Sequence, residues 1–216
     1  MNPFLTNNLQ VKFLGVTPVL NDKTEVLNPQ QIVALSSQAT FKGKSLKNLL
    51  REIKESGDSL EERIQKTLQK SSLRGHASLS TTPAICLTYE GSKFLDSALT
   101  GIVFSSSLMA SGRRTQTGFE DIVFPEKIFK NKKAKKIYEK TSKEIIENYN
   151  YFLSKGIKKD EVSKILQYGI YGTGIINLPI ESIIGLKKEY LAEKEWMPEE
   201  VGLLLQKIER ELRKRG

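Results

Sequence analysis

After Ser92 and Lys93 the chain runs F-L-D-S-A-L-T-G-I-V-F-S-S-S-L-M as far as Met109, almost wholly apolar or small in character. A segment like this has little polar surface to offer water. It belongs in the interior or at a subunit interface, and it reads as a helix over Ser92–Met109. The β-branched and apolar run before it, Thr81 to Tyr89, reads as a strand. A buried helix beside a buried strand needs a sizeable core, and 216 residues with 38% hydrophobic content are enough to build one.

The remaining elements follow from periodicity and punctuation. Leu9 to Val16 alternates in part and is bounded by Gly15 and Pro18, as a strand would be. A helix starts at Pro29 with Asn28 as its N-cap. Ser45 to Glu55 places Leu46, Leu49, Leu50 and Ile53 at three-to-four spacing before Gly57, and Ser59 to Lys70 repeats the pattern. Lys132 to Leu153 is a long amphipathic helix ending at Gly156, and Lys159 to Gln167 is a short one. Gly169, Gly172 and Gly174 are expected to loosen the chain ahead of Asn177–Tyr190, and Pro198 to Arg213 closes as a charged helix. No repeat or low-complexity linker divides the sequence. The expectation is one α/β (α+β) domain over residues 1–216, a central sheet flanked by long helices.

Cys86 is the only cysteine and sits in the Thr81–Tyr89 run, where a buried, inert thiol is the plain reading. With no apolar stretch long enough to span a bilayer and no basic-then-apolar leader, the cytoplasm is the expected compartment. The net charge of +9 is concentrated in Lys127–Lys143 and in Arg210, Arg213, Lys214 and Arg215. Such clusters attract phosphate backbones. A solvated lysine-rich face is the simpler account, because no recognised nucleic-acid motif accompanies them. A nucleic-acid partner is therefore not expected. Neither is a metal site.

Ser106, Ser111 and Arg113 align without gaps on the second half of the pattern R-H-R-x-x-S-x-N-x-x-S-x-R, preceded at the right distance by E-G-S-K (Glu90–Lys93). With V-K-F-L-G-V-T-P (Val11–Pro18), G-H-A-S (Gly75–Ser78) and G-I-K-K-D-E-V-S-K-I-L-Q (Gly156–Gln167) in the same order, the chain resembles the flavin-dependent thymidylate synthases. The resemblance implies a homotetramer with shared active sites that methylates dUMP to dTMP, using FAD, NADPH and methylenetetrahydrofolate. It places Ser111 and Arg113, with Arg114 beside them, against the nucleotide, and His76 near the flavin. It assigns no catalytic side chain of the protein's own.

The departures from that pattern fall mainly on cations. Gly101, Ile102 and Val103 stand where Arg-His-Arg is expected, Leu108 stands for the Asn, Ser163 for a nucleotide-binding Arg and Gln167 for its following Pro. Asn177, with Pro179, marks a late N-x-R element, and Lys187 or Lys188 another arginine. Lys93, Arg114 and the lysine cluster are the candidate replacements. The expected activity is accordingly impaired or altered. Two alternatives stand beside it: a catalytically silent paralogue acting as scaffold or partner subunit, and an anion or nucleic-acid binder through Lys127–Lys143.

Overall fold

In the computed structural model, which describes residues 4–16, 19–21, 25–70, 83–110 and 116–215, a short strand β1 (Phe4–Leu5) precedes β2 (Gln10–Val16). A small hairpin follows, β3 (Val19–Asn21) with β4 (Glu25–Leu27). Three helices come next: α1 (Pro29–Lys42), α2 (Leu46–Ser56) and α3 (Leu60–Lys70). Their ends are written in the sequence. Asn28 and Gln31 form a reciprocal capping box (2.8 and 2.9 Å), Ser45 caps α2 through the Asn48 amide, and Gly43 and Gly57 terminate α1 and α2 with positive φ. Leu27, Ile32, Leu35, Leu49, Leu50 and Ile53 make a core of their own within this unit.

The main sheet is built around β5 (Ala84–Ser92). After it come α4 (Lys93–Thr100), β6 (Ser106–Met109), β7 (Val123–Phe124), α5 (Glu126–Lys130) and α6 (Lys132–Ser154). The chain ends with α7 (Lys159–Val162), β8 (Tyr171–Pro179), α8 (Ile180–Ala192) and α9 (Glu199–Arg215). The strand order is β2-β5-β8-β6, antiparallel throughout, while β1 pairs with β7 in a separate parallel ladder. Period-two alternation sends Ile85, Leu87, Tyr89, Ile176 and Leu178 to one face, where they share a core with Leu95 and Leu99 of α4, Ile183 and Leu186 of α8, and Val201, Leu204 and Ile208 of α9. Removing these aliphatic side chains from water stabilises the fold by roughly 1.5–3 kcal/mol each. The other face carries Ile175, Asn177 and Leu108, which are exposed. The expected fold class, an α/β arrangement with a sheet flanked by helices, is the one observed.

Two expectations are corrected. The helix predicted over Ser92–Met109 ends at Thr100, and its second half is a turn followed by the edge strand β6. Gly101 and the β-branched Ile102 and Val103 are poor helix formers, the serines compete locally for backbone hydrogen bonds, and β8 offers a full ladder from Asn177 to Gly174. The turn is closed by the Ser105 amide on the Ile102 carbonyl (3.3 Å) and holds Phe104 at φ 62°.

The second correction concerns the glycines. Gly172 and Gly174 do not loosen the chain; they lie inside the central strand β8 because neighbouring side chains come too close for a Cβ. A Cβ on Gly172 would sit 2.9 Å from Asp96 Oδ1. One on Gly174 would sit 2.9 Å from Tyr89 Oη and 3.0 Å from the Leu108 carbonyl. Gly174→Ala is therefore expected to lose about 1–3 kcal/mol by overpacking. Gly15→Ala, where a Cβ meets nothing within 4 Å, should change stability by no more than about 0.5 kcal/mol. Urea denaturation of the two variants checks the contrast.

Candidate functional site

The junction between β5 and α4 concentrates the buried polar groups. Ser92 is the N-cap of α4, and its amide donates to Glu200 Oε1 of α9 (2.8 Å) while its hydroxyl donates to Glu200 Oε2. Glu200 is only 2% exposed. Burial pushes its carboxyl pKa above the ordinary range; the Ser92 bonds pull the other way, and the Asp96 charge adds to the rise. One turn along α4, the buried Asp96 accepts from Tyr89 Oη at 2.6 Å and from Lys93 Nζ at 2.7 Å. Lys93 Nζ also donates to the Ala110 carbonyl. The Tyr89 hydroxyl pKa is raised by burial first and then by the Asp96 carboxylate it bonds. This phenol stays protonated at neutral pH and acts as a donor. Thr173 Oγ1 completes the cluster on the Tyr89 carbonyl (2.8 Å).

Lys93 is consequently committed to Asp96 and Ala110 and does not replace a missing arginine. Asp96, Tyr89 and Glu200 were not singled out in the sequence, where Ser92 entered only as part of the E-G-S-K motif. The signal available was a lone acidic residue in the otherwise apolar Phe94–Thr100 stretch, followed by glycines at alternate positions in β8.

Beyond α4, the Gly101–Phe104 turn and α8 enclose a cleft of about 260 Å³, also lined by Glu181, Ser182, Gly185 and Glu189. Ser182 Oγ ties the turn to the helix through the Val103 carbonyl (2.6 Å). Ile102 packs on the main core, while Val103 and Phe104 are 67% and 69% exposed. The charged groups among the described lining residues are thus the carboxylates of Glu181 and Glu189. A larger cavity of about 420 Å³ lies in the α1–α3 unit, lined among others by Leu27, Leu50, Ile53 and Leu60.

His76, Ser111, Arg113 and Arg114 lie outside the described residues. The remaining motif positions take structural roles. Ser163 Oγ bonds the Lys159 carbonyl (2.6 Å), and Gln167 Nε2 bonds Ser142 Oγ (2.9 Å). Asn177 lies in β8 opposite Cys86 on one side and Ser106 on the other. Lys187 pairs with Glu209 (3.0 Å). Cys86 is half-buried in β5. Among the described residues there is no group of three or more side chains suited to hold a metal ion, and no helix is long and apolar enough to cross a membrane.

The fold of this chain is similar to that of a nucleotide methylase of solved structure. Two similar structures are of the UMP/dUMP methylase PolB from Streptomyces cacaoi. The form bound with 5-Br dUMP superposes with a TM-score of 0.64 at 10% identity, covering 84% of this chain and 77% of that one. The form bound with 5-Br UMP gives 0.62 at 12% identity, over 99% and 92%. At such identities the likeness is one of fold. No protein-family model matches the chain, and no curated protein matches it in sequence.

Glu200 makes a testable statement about pH. Its folded-state pKa lies above the ordinary value of 4.5, so its contribution favours the folded state below that value. The contribution is lost as pH rises through the folded-state pKa. Glu200→Gln, neutral throughout, should gain stability relative to wild type as pH increases from 4 to 8. Denaturant midpoints measured at each pH read the difference; a constant offset would contradict it. Lys93→Met, which removes the cation from buried Asp96, should cost roughly 3–5 kcal/mol.

Proposed function

We propose that this chain is a flavin-dependent thymidylate synthase-like protein whose methylation of dUMP is impaired. The observation that carries this reading is the cleft at Gly101–Phe104. It occupies the place of the expected Arg-His-Arg motif, in a fold shared with a UMP/dUMP methylase, and its described charged groups are carboxylates. In this reading Ser111, Arg113 and Arg114 hold the nucleotide, His76 lies by the flavin, NADPH is the reductant, and the chains assemble as cytoplasmic homotetramers.

FAD and dUMP both carry phosphate, which calls for fixed cations, and arginine's planar fork suits phosphate best. The cleft supplies Glu181 and Glu189 instead, and Lys93 is held by Asp96. The described residues therefore do not fit a pyrophosphate-bearing cofactor at this position, and no reaction step is assigned through it. Each lost charged hydrogen bond weakens binding by roughly 1.5–3 kcal/mol. Three such losses correspond to about a thousandfold or more.

A second reading is favoured by the Lys93–Ala110 contact. Ala110, whose carbonyl accepts from Lys93, immediately precedes Ser111 in the sequence. In this reading the chain is a catalytically silent paralogue acting as an oligomeric scaffold or partner subunit.

The visible absorption spectrum of the purified protein, followed by titration with FAD and then dUMP, separates the outcomes. The expected result is a colourless protein with FAD and dUMP affinities lowered by at least about a hundredfold relative to a competent thymidylate synthase assayed in parallel. A yellow protein that takes up FAD tightly, with dUMP enhancing the uptake, would overturn the proposal.

A further inference from the structure

We infer that the N-terminal half of α6 is a docking surface for the phosphate backbone of a nucleic acid, a role separate from the methylase reading. Lys132, Lys136, Lys140 and Lys143 recur every third or fourth residue, so they form one stripe along the helix, about 6 Å apart at each four-residue step and about 16 Å from first to last. All four are exposed, as is Lys133 beside them. Among the described residues Lys132, Lys133, Lys136 and Lys140 make no ion pair. Lys143 reaches Glu147 only at 3.9 Å, and Lys135 leaves the stripe to pair with Glu139 and lie over the Phe129 ring. A flank of α6 roughly a third of a turn from the stripe is held in place by buried Ser142, Ile146 and Tyr149. The stripe is therefore presented on a fixed helix.

The placement runs against the helix's own electrostatics. The N-terminal end of a helix carries partial positive charge and favours acidic side chains, yet the first turn of α6 has no acidic residue and opens on Lys132 and Lys133. The last turn itself has no basic residue, and the cation at that end is the C-cap Lys155. The local arrangement costs the helix stability, and an external polyanion recovers it. That polyanion is a nucleic acid rather than a lipid surface on the evidence of the apolar residues. A helix that lies in a membrane interface needs an outward apolar face. Here Ile146 and Tyr149 are spent on the interior and Ile137 is the exposed aliphatic near the stripe. Lysines without accompanying aromatics are point charges that bind backbone and carry no base readout.

Counterion release turns this into a number. Four phosphate contacts predict a slope of log Kobs against log salt of about −3.6 for duplex DNA and about −2.8 for a single strand. Fluorescence anisotropy with a labelled mixed-sequence oligonucleotide, single-stranded and duplex, measures it on the full chain. Replacing Lys132, Lys136 and Lys140 by Gln should reduce the slope to about −0.9 or −0.7 and weaken binding at least tenfold at low salt. The same variant should melt no lower than wild type, since it removes charge that opposes the helix dipole. Lys12, Lys66 and Lys207, exposed on β2, α3 and α9, provide a control. Their replacement by Gln changes the net charge equally and should leave the affinity within about twofold. Absence of binding, an equal loss in the control variant, or tighter binding to phosphatidylserine vesicles than to either oligonucleotide would each overturn the inference.

Discussion

A carboxylate buried between a tyrosine and a lysine organises this molecule. Asp96 takes a hydrogen bond from Tyr89 on β5 and an ion pair from Lys93 on its own helix, and it presses against β8 where a Cβ on Gly172 would collide with it. One charged group therefore sets the separation of α4 from both central strands and dictates glycine at a strand position. Lys93 extends the constraint to the Ala110 carbonyl at the end of β6. A buried ion pair contributes little net stability compared with a well-packed apolar substitute. Its effect here is on position, fixing which residues of β5, β6 and β8 face one another.

The sequence made the elements legible wherever their ends are marked by local chemistry. Asn28, Pro29 and Gln31, Ser45, Gly57 and the heptad-like leucines of α2 predict helices that the structure places within a residue or two. It failed where tertiary pairing decides. Apolar, small-residue character cannot tell a buried helix from a helix followed by an edge strand, and the choice at Gly101–Met109 is made by the open edge of β8, whose partner is some seventy residues away in sequence. The glycines of β8 misled for a related reason. Their meaning lies in the side chains of Tyr89 and Asp96 across the sheet, which no local pattern reports.

The candidate site was legible in outline and not in sign. Aligned motif positions predicted that cations would be missing around Gly101–Val103, and the structure shows what stands in their place: an exposed turn and a helix that brings two glutamates. Glu181 and Glu189 lie eight residues apart on α8, so they share a face, and only the packing of that helix against the turn makes them part of the same cleft. The similarity to a UMP/dUMP methylase then concerns the scaffold. The charged groups that the described residues bring to the Gly101–Phe104 cleft are carboxylates, which repel a phosphate.

The α1–α3 unit owns a hydrophobic cluster distinct from that of the sheet, with Leu35, Leu49 and Ile53 packing on one another. Cooperativity in folding follows shared burial, and here burial is divided. The unit can open and close as its own exchange-competent segment while the β5–β8 ladder stays protected, so amide hydrogens of Leu49 and Leu87 should report different free energies of opening within one chain.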